Sequence, residues 1–419
     1  MLLIVKNIGF LTGTYNTPPE TLKGREMQQL TVTENAWLIC EDGLFHSWGA
    51  MSNWEAVQST LNDQPSSQII DANGGMLSPA WCDSHTHIVY AGPRETEFVD
   101  RIKGLTYEEI ARRGGGILNS AKKLAEVPEE ILLEDAMRRL HEMIRFGTGA
   151  VEIKSGYGLS LDAEIKMLRV IKKLKSMTDI PVKATFLGAH AVPAEYKSKR
   201  SEYIDLIVER MLPAIADEGL ADFCDVFCDR GFFTVEETDR ILEAGWKHHL
   251  QPKIHANELD FSGGIQVGVK HRALSVDHLE FTGEDEISAL LNSSTMPTIL
   301  PSTAFFLKLH YAPARKMIDS GLPVALATDY NPGSSPSGNM PFVLSLACIY
   351  MGMLPEEAIN AATVNSAYAM GVGKTNGSIA KGRPASFFIT EKISSPAQLP
   401  YSFGRSTVMS TFINGKKFN

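Results

Sequence analysis

The sequence predicts an α/β fold: a (β/α)8 TIM barrel over residues 74–372, with a small composite β-sandwich domain drawn from residues 1–73 and 373–419. Three observations predict it. Short apolar runs alternate with long amphipathic segments through the middle of the chain. Both ends carry short β-type runs separated by turn residues. A polar side chain follows each central apolar run.

A chain of 419 residues has material for a closed barrel and a smaller unit, because single hydrophobic cores stop growing near roughly 250–300 residues. With 44% hydrophobic and 21% charged residues it has the balance of a soluble globular protein. The formal net charge of −9 argues against a broad basic footprint for nucleic acid. A small neutral or anionic substrate is compatible with that charge, given a local basic residue. Cys40, Cys82, Cys224, Cys228 and Cys348 are too few and too irregularly spaced for a disulfide framework, which points to a reducing cytoplasm. Met1 to Lys6 is too short for a signal peptide's apolar region. The longest nearly apolar run, Pro341 to Leu354, falls short of the ~20 residues that span a bilayer and reads as a buried helix. The expectation is therefore no nucleic acid and no membrane.

At the N-terminus, Leu2-Leu3-Ile4-Val5, Ala36 to Cys40 and Leu44 to Trp48 read as strands. Ala385 to Thr390 and Val408 to Ile413 return to that texture, the latter closed by the turn pair Asn414-Gly415. The two ends are expected to share one sheet domain. Between them lie amphipathic helices such as Pro128 to Phe146 and Asp162 to Met177. Eight candidate strands alternate with such helices: Ala80–Cys82, Gly149–Ile153, Val182–Leu187, Asp222–Phe227, Lys253–Ile254, Leu274–Val276, Pro297–Leu300 and Val324–Ala327. Their alternation with helices implies parallel βα units, and eight is the barrel number.

After these runs come His85 and His87, Lys154 and Tyr157, His190, Asp229, His255 and Glu258, His278, Ser302, and Asp329. In a barrel all strand C-termini face one mouth, so residues far apart in sequence converge there. His85 and His87 are two residues apart on an extended segment and point the same way. His-Thr-His alone is also what a polar strand end looks like. Asp83 before it, His255 on a later strand end and Asp329 after the eighth run turn it into a metal site of three nitrogens and one carboxylate. The set His85, His87, His255 and Asp329 suits Zn or Fe, as a divalent or trivalent ion.

At this point the chain resembles the amidohydrolase superfamily and, within it, the imidazolonepropionase family. The motifs are Asp83 to His87, Gly92 to Phe98, Gly114 to Ile117, Glu152 to Leu159, Gly188 to Ala191, His255 to Glu258, Asp277 to Glu280, and Thr328 to Gly333. Pro93, where the family commonly has Ser or Asn, and Asn257, where an acid is usual, depart from the pattern without removing a reacting group. The resemblance implies hydrolysis of the ring amide of 4-imidazolone-5-propanoate to N-formimino-L-glutamate, a single metal ion per subunit and a homodimer. Another cyclic amidase or an aminohydrolase would share every metal ligand, and a catalytically silent barrel is the reading outside enzymology.

Each residue has a chemical role and an alternative. Asp329 can bind the metal, accept a proton from water and return it to the leaving nitrogen; the alternative is a turn residue ahead of Asn331-Pro332-Gly333. His278 can donate to the developing oxyanion, or be a structural imidazole paired with Asp277 or Glu280. Glu258 can relay a proton, or be a solvated acid. Arg94 offers a planar fork for a carboxylate. By resemblance, Arg94, Tyr157 and His190 contact the substrate's propanoate end, and Asn331, Gly333 and Ser334 its polar backbone. Gly114-Gly115-Gly116 reads as an anion nest or a loop over the mouth, Cys224 and Cys228 as core residues, and His248-His249 as a helix end. Lys154 occupies a position where some superfamily members carry a carboxylated lysine between two metals; the resemblance implies that here it does not.

Overall fold

The computed structural model describes residues 1–61, 67–105, 109 and 115–418. Gly114 of the expected glycine nest lies outside the described residues.

The terminal segments form one eight-stranded sheet. Its strands are β1 (Leu2–Thr12), β2 (Val32–Glu41), β3 (Leu44–Ala50), β4 (Ser67–Asp71) and β5 (Gly75–Pro79) from the N-terminal part. β14 (Phe387–Lys392), β15 (Val408–Ile413) and β16 (Lys416–Lys417) come from the C-terminal part. β14 pairs antiparallel with β5, placing Phe388 opposite Ser78, so the two ends meet in the middle of the sheet. The sheet therefore reaches to Pro79, some residues past Asn73, because Gly75–Pro79 finds its hydrogen-bond partners on β1 and β14. The expected turn closes β15 onto β16: Asn414 and Gly415 both have positive φ, 48° and 74°, as a type I′ hairpin requires. Leu3, Val5, Leu38, Phe45, Phe387 and Phe412 build this sheet's own core.

The barrel has eight parallel strands in sequential order: β6 (Trp81–Asp83), β7 (Thr148–Lys154), β8 (Val182–Ala189), β9 (Phe223–Cys228), β10 (Gln251–Ala256), β11 (Ser275–His278), β12 (Met296–Ile299) and β13 (Ala325–Leu326). These are the eight runs expected, each within a few residues. The long helices follow suit, at Glu129–Arg145 and Leu161–Met177. Ser160 caps the second by accepting from the Ala163 N–H, and Thr234 with Glu237 forms a capping box on the helix Val235–Lys247. Pro341 to Leu354 falls largely in the mostly buried helix Met340–Met351. No helix among the described residues is long and apolar enough to cross a membrane.

Trp81, fully buried, ties barrel to sheet: its ring lies 4.6 Å from Phe388 and its Nε1–H donates to the Phe146 carbonyl at 3.1 Å. The ring of strands closes just beyond β6 and β13 rather than along them. There the Asp329 N–H donates to the His85 carbonyl at 3.0 Å and the His87 N–H to the Tyr330 carbonyl at 2.9 Å. The seam of the barrel thus runs through the residues expected to hold metal.

Candidate metal centre

His85, His87, His255, His278 and Asp329 converge at the C-terminal mouth, none more than 3% exposed. His85 Nε2 and His87 Nε2 are 3.3 Å apart, and Asp329 Oδ1 lies 3.5 Å from the first and 3.7 Å from the second. Ligand atoms of His85, His87 and Asp329 lie within 4.8 Å of one another, as do those of His85, His255 and His278. The His255 ring sits 4.4 Å from that of His85, and both of its ring nitrogens are buried with no hydrogen-bond partner. A buried, unpaired imidazole nitrogen is costly unless something fills the space before it. Burial also holds the His85 and His87 imidazoles well below their usual pKa, so both are neutral and available as ligands. Three imidazole nitrogens and a carboxylate at this spacing fit a borderline divalent ion.

The other ring nitrogens face carboxylates. His85 Nδ1 lies 2.6 Å from Asp277 Oδ2, and His255 Nδ1 lies 3.0 Å from Asp225 Oδ2. A carboxylate on Nδ1 orients the ring and leaves Nε2 for a metal. Asp277, a candidate partner for His278, faces His85 instead, while Glu280 Oε2 lies 4.0 Å from His278 Nδ1. Strand alternation explains it: Ser275 and Asp277 share the inner face of β11, whereas regular alternation would send His278 outward. His278 reaches the mouth because its backbone turns to φ 86°, followed by Leu279 at 73°. Such conformations in bulky residues cost about 1–3 kcal/mol each and concentrate at functional sites.

Asp329 is also in the left-handed region, at φ 52°. Its Oδ2 accepts from the Thr303 hydroxyl at 2.5 Å and from Ser334 at 3.4 Å, while burial pushes its carboxyl up to about 6. Glu258 is held by Asp229, whose carboxylate accepts from the Glu258 N–H at 2.7 Å and the Leu259 N–H at 2.8 Å. Burial, then the charges of Asp329 and Asp229, push the Glu258 carboxyl up to about 8. It sits 3.7 Å from His278 Nδ1 and is 8% exposed, a buried acid rather than a solvated one.

Beside the metal donors lie Tyr157 and His190, with ring centroids 5.4 Å apart; His190 stacks on His87 at 5.4 Å. The Tyr157 loop is built by Glu164, whose carboxylate accepts from the N–H groups of Gly158 and Leu159 at 2.7 and 2.8 Å. The Gly156 carbonyl lies 3.0 Å from His190 Nδ1, and burial pushes that imidazole down to about 3. Arg94 approaches Gly333 so closely that a Cβ there would stand 2.2 Å from its Nη1. The Arg101 guanidinium donates to the Gly333 carbonyl at 2.8 Å. Asn331 turns its amide inward: Oδ1 accepts from the N–H groups of Gly333 and Ser334 at 2.7 and 2.8 Å, and Nδ2 donates to the Asp329 carbonyl at 2.7 Å. Its side chain shapes the Asp329–Ser334 loop. Ser302 lies in the helix Pro301–Leu307 and Asp229 behind Glu258, both on the rim of the mouth.

Lys154 points down into the barrel, where its Nζ donates to Glu152 and Asp225 at 2.8 Å each and lies 3.4 Å from Asp277. Burial alone would depress its pKa, but the Asp225, Glu152 and Asp277 charges outweigh burial and raise it. An ammonium surrounded in this way has no free pair with which to form a carbamate. Glu152, Asp225 and Lys253 had no assigned role in the sequence, and Asp277 had only that of a partner for His278. The signal available was a charged residue at alternate positions of strands otherwise apolar: Glu152 and Lys154, Asp225, Lys253 and His255, Asp277.

The profile of the amidohydrolase family matches residues 76–418. The chain is 55% identical over 416 residues to an imidazolonepropionase of Flavobacterium johnsoniae, spanning 99% of this chain and 100% of that one. It is 42% identical over 391 residues to an imidazolonepropionase of Geobacillus kaustophilus, covering 93% and 92% of the two. Among solved structures, E. coli guanine deaminase superposes with a TM-score of 0.76 at 13% identity, covering 100% of this chain and 99% of that one. That last likeness is one of fold.

Proposed function

The chain belongs to the amidohydrolase family and, within it, to the imidazolonepropionases, and from that premise we propose how its residues divide the reaction. It is a metal-dependent hydrolase of histidine degradation, cleaving the ring amide C–N bond of 4-imidazolone-5-propanoate to give N-formimino-L-glutamate. The observation that carries the assignment of residues is the meeting, at one barrel mouth, of a four-donor metal set with the guanidinium of Arg94.

His85, His87, His255 and Asp329 hold one ion, zinc or iron. Such an ion acidifies a water from a pKa of about 16 to about 7 and polarises a carbonyl. Arg94 receives the substrate carboxylate, with Tyr157 and His190 closing the pocket around the propanoate end. Asn331, Gly333 and Ser334 contact the polar backbone of the substrate or product. Asp329 Oδ1 faces the ligand nitrogens, which leaves Oδ2 to take the proton of the attacking water. His278 donates to the carbonyl oxygen as negative charge grows there. Glu258, its carboxyl raised by burial and by the charges of Asp329 and Asp229, sits 3.7 Å from His278 Nδ1 and holds that ring toward the oxygen, without adding a proton to the balance. Asp329 returns its proton to the leaving nitrogen.

We further infer a cytoplasmic homodimer. The support for the compartment is that all five cysteines are unpaired.

The decisive experiment is a substrate panel on one purified sample with its metal content measured: the imidazolone, dihydroorotate, a hydantoin and guanine. Consumption of the imidazolone alone, lost in Arg94→Ala, is expected. Metal-loaded protein that leaves the imidazolone untouched would sink the assignment. Light scattering on the same sample tests the dimer, with a single-chain mass against it.

A further inference from the structure

Beneath the metal donors lies a group of charges that the chemistry above does not use. Glu152 and Lys154 from β7, Asp225 from β9, Lys253 from β10 and Asp277 from β11 are all at most 1% exposed. Three carboxylates and two ammonium groups in a dry interior are a heavy desolvation burden unless every one is paired. They are paired, but not symmetrically. Lys253 serves the scaffold: it bonds to Glu152 and donates to the backbone carbonyls of Ser84 and Ala369 at 3.0 and 3.1 Å. Lys154 instead faces the two oxygens that face the histidines. Asp225 Oδ2, 2.8 Å from its Nζ, is the atom 3.0 Å from His255 Nδ1. Asp277 Oδ2, 3.4 Å from its Nζ, is the atom 2.6 Å from His85 Nδ1.

One ammonium, on β7, therefore spans two carboxylate–histidine pairs drawn from β9, β10, β11 and the segment that follows β6. We propose that Lys154 is a positioning residue that, through Asp225 and Asp277, sets the ring orientation of His255 and His85 so that their Nε2 atoms converge on one ion. The geometry gives the reason. Each aspartate oxygen is pulled from one side by Nζ and from the other by a ring nitrogen, so neither carboxylate can rotate without breaking a charged contact. Asp225 is anchored further by accepting the His255 N–H at 3.1 Å, and Asp277 by the Ser275 hydroxyl. With both aspartates locked, His85 is held with its Nδ1 proton toward Asp277, and the His255 ring is confined by the 3.0 Å approach of its Nδ1 to Asp225, an approach that lacks hydrogen-bond geometry. His87 lacks such a carboxylate: its Nδ1 lies 3.3 Å from the Ser155 carbonyl. The inference rests on the metal-centre reading but not on the identity of the substrate.

The test uses full-length protein stripped of metal and titrated with Zn²⁺ alone against a chromophoric chelator, with the visible spectrum of Co²⁺-loaded samples recorded in parallel. Wild-type protein is expected to take up one ion per chain. Asp277→Asn and Lys154→Met should each bind Zn²⁺ about 10–100-fold more weakly and shift the Co²⁺ bands. Their combination should fall short of the product of the single losses, because one acts through the other. Should Lys154→Met not fold, the charge-compensated pair Lys154→Met with Glu152→Gln takes its place and is expected to show the same loss. Folded variants that bind Zn²⁺ as tightly as wild type, with unmoved Co²⁺ bands, overturn the inference. Wild-type protein that takes up no zinc and no cobalt removes the metal-centre reading, and the inference with it.

Discussion

Glu97 grips Arg94 with both carboxylate oxygens: Oε1 accepts from Nε at 2.9 Å and Oε2 from Nη2 at 2.5 Å, with the side chains 9% and 8% exposed. Oε1 also accepts the Gly116 N–H at 2.9 Å. A guanidinium so held enters the pocket already oriented and loses little freedom on meeting a carboxylate. Glu97→Gln should therefore raise KM about tenfold, roughly 1.4 kcal/mol of binding, with kcat nearly unchanged. Steady-state kinetics decide it, and an equal fall in kcat would count against a purely orienting role.

Gly333 gives Arg94 its room. A methyl there would stand 2.2 Å from Nη1 and 2.8 Å from Cζ, and the grip of Glu97 stops the guanidinium from swinging clear. Gly333→Ala should cut kcat/KM by about 100-fold, the scale of a 1 Å misplacement, while the thermal midpoint barely moves. A Gly333→Ala enzyme with wild-type kinetics would show that Arg94 is not pinned there.

The same pair has a pH signature. Burial pushes the Glu97 carboxyl up, but the Arg94 hydrogen bonds and charge, with Gly116 and Arg101, hold it below its ordinary 4.5. A folded-state pKa below the unfolded one stabilises the protein above the ordinary value, and that gain is lost as pH falls through the depressed value. The thermal midpoint of wild type should exceed that of Glu97→Gln at neutral pH, and the gap should close well below pH 4.5. A gap that widens with acid would reverse the sign.

Metal removal should abolish turnover and lower the thermal midpoint, because an ion that binds only the folded chain stabilises it by mass action. Re-addition of zinc or iron should restore both. Asp329→Asn keeps the shape but not the charge of the carboxylate, and should cost about 10²–10⁴ in kcat. Metal analysis beside the kinetics separates loss of the ion from loss of the base.

Lys253 has a scaffold role with its own consequence. Lys253→Met leaves Glu152 Oε2 and the Ser84 and Ala369 carbonyls without their buried donor, which should destabilise the fold by about 3–5 kcal/mol. Urea unfolding measures it. A loss under about 1 kcal/mol would mean that water reaches these groups.

The amino-acid sequence by itself determined the architecture and the candidate reacting groups. Apolar runs of strand length alternating with amphipathic helices are a local property, so all eight barrel strands were legible from Ala80–Cys82 to Val324–Ala327. His85, His87, His255, His278 and Asp329 were legible because each follows such a run, and strand ends meet at one mouth. What only the tertiary structure decided is which group serves which. His85 and Asp277 are 192 positions apart and Lys154 and Asp225 are 71 apart, on strands whose registers no local pattern states. The positive φ of Leu279 runs against its side chain, and those of His278 and Asp329 are conformations these residues adopt only in a minority of positions, so no local pattern announced them. Arg94 offered a fork for a carboxylate in the sequence; in the fold that fork is held by Glu97 and its reach is set by Gly333. Local chemistry chose the parts, and closure of the barrel, which brings distant strands within hydrogen-bond range, chose their partners.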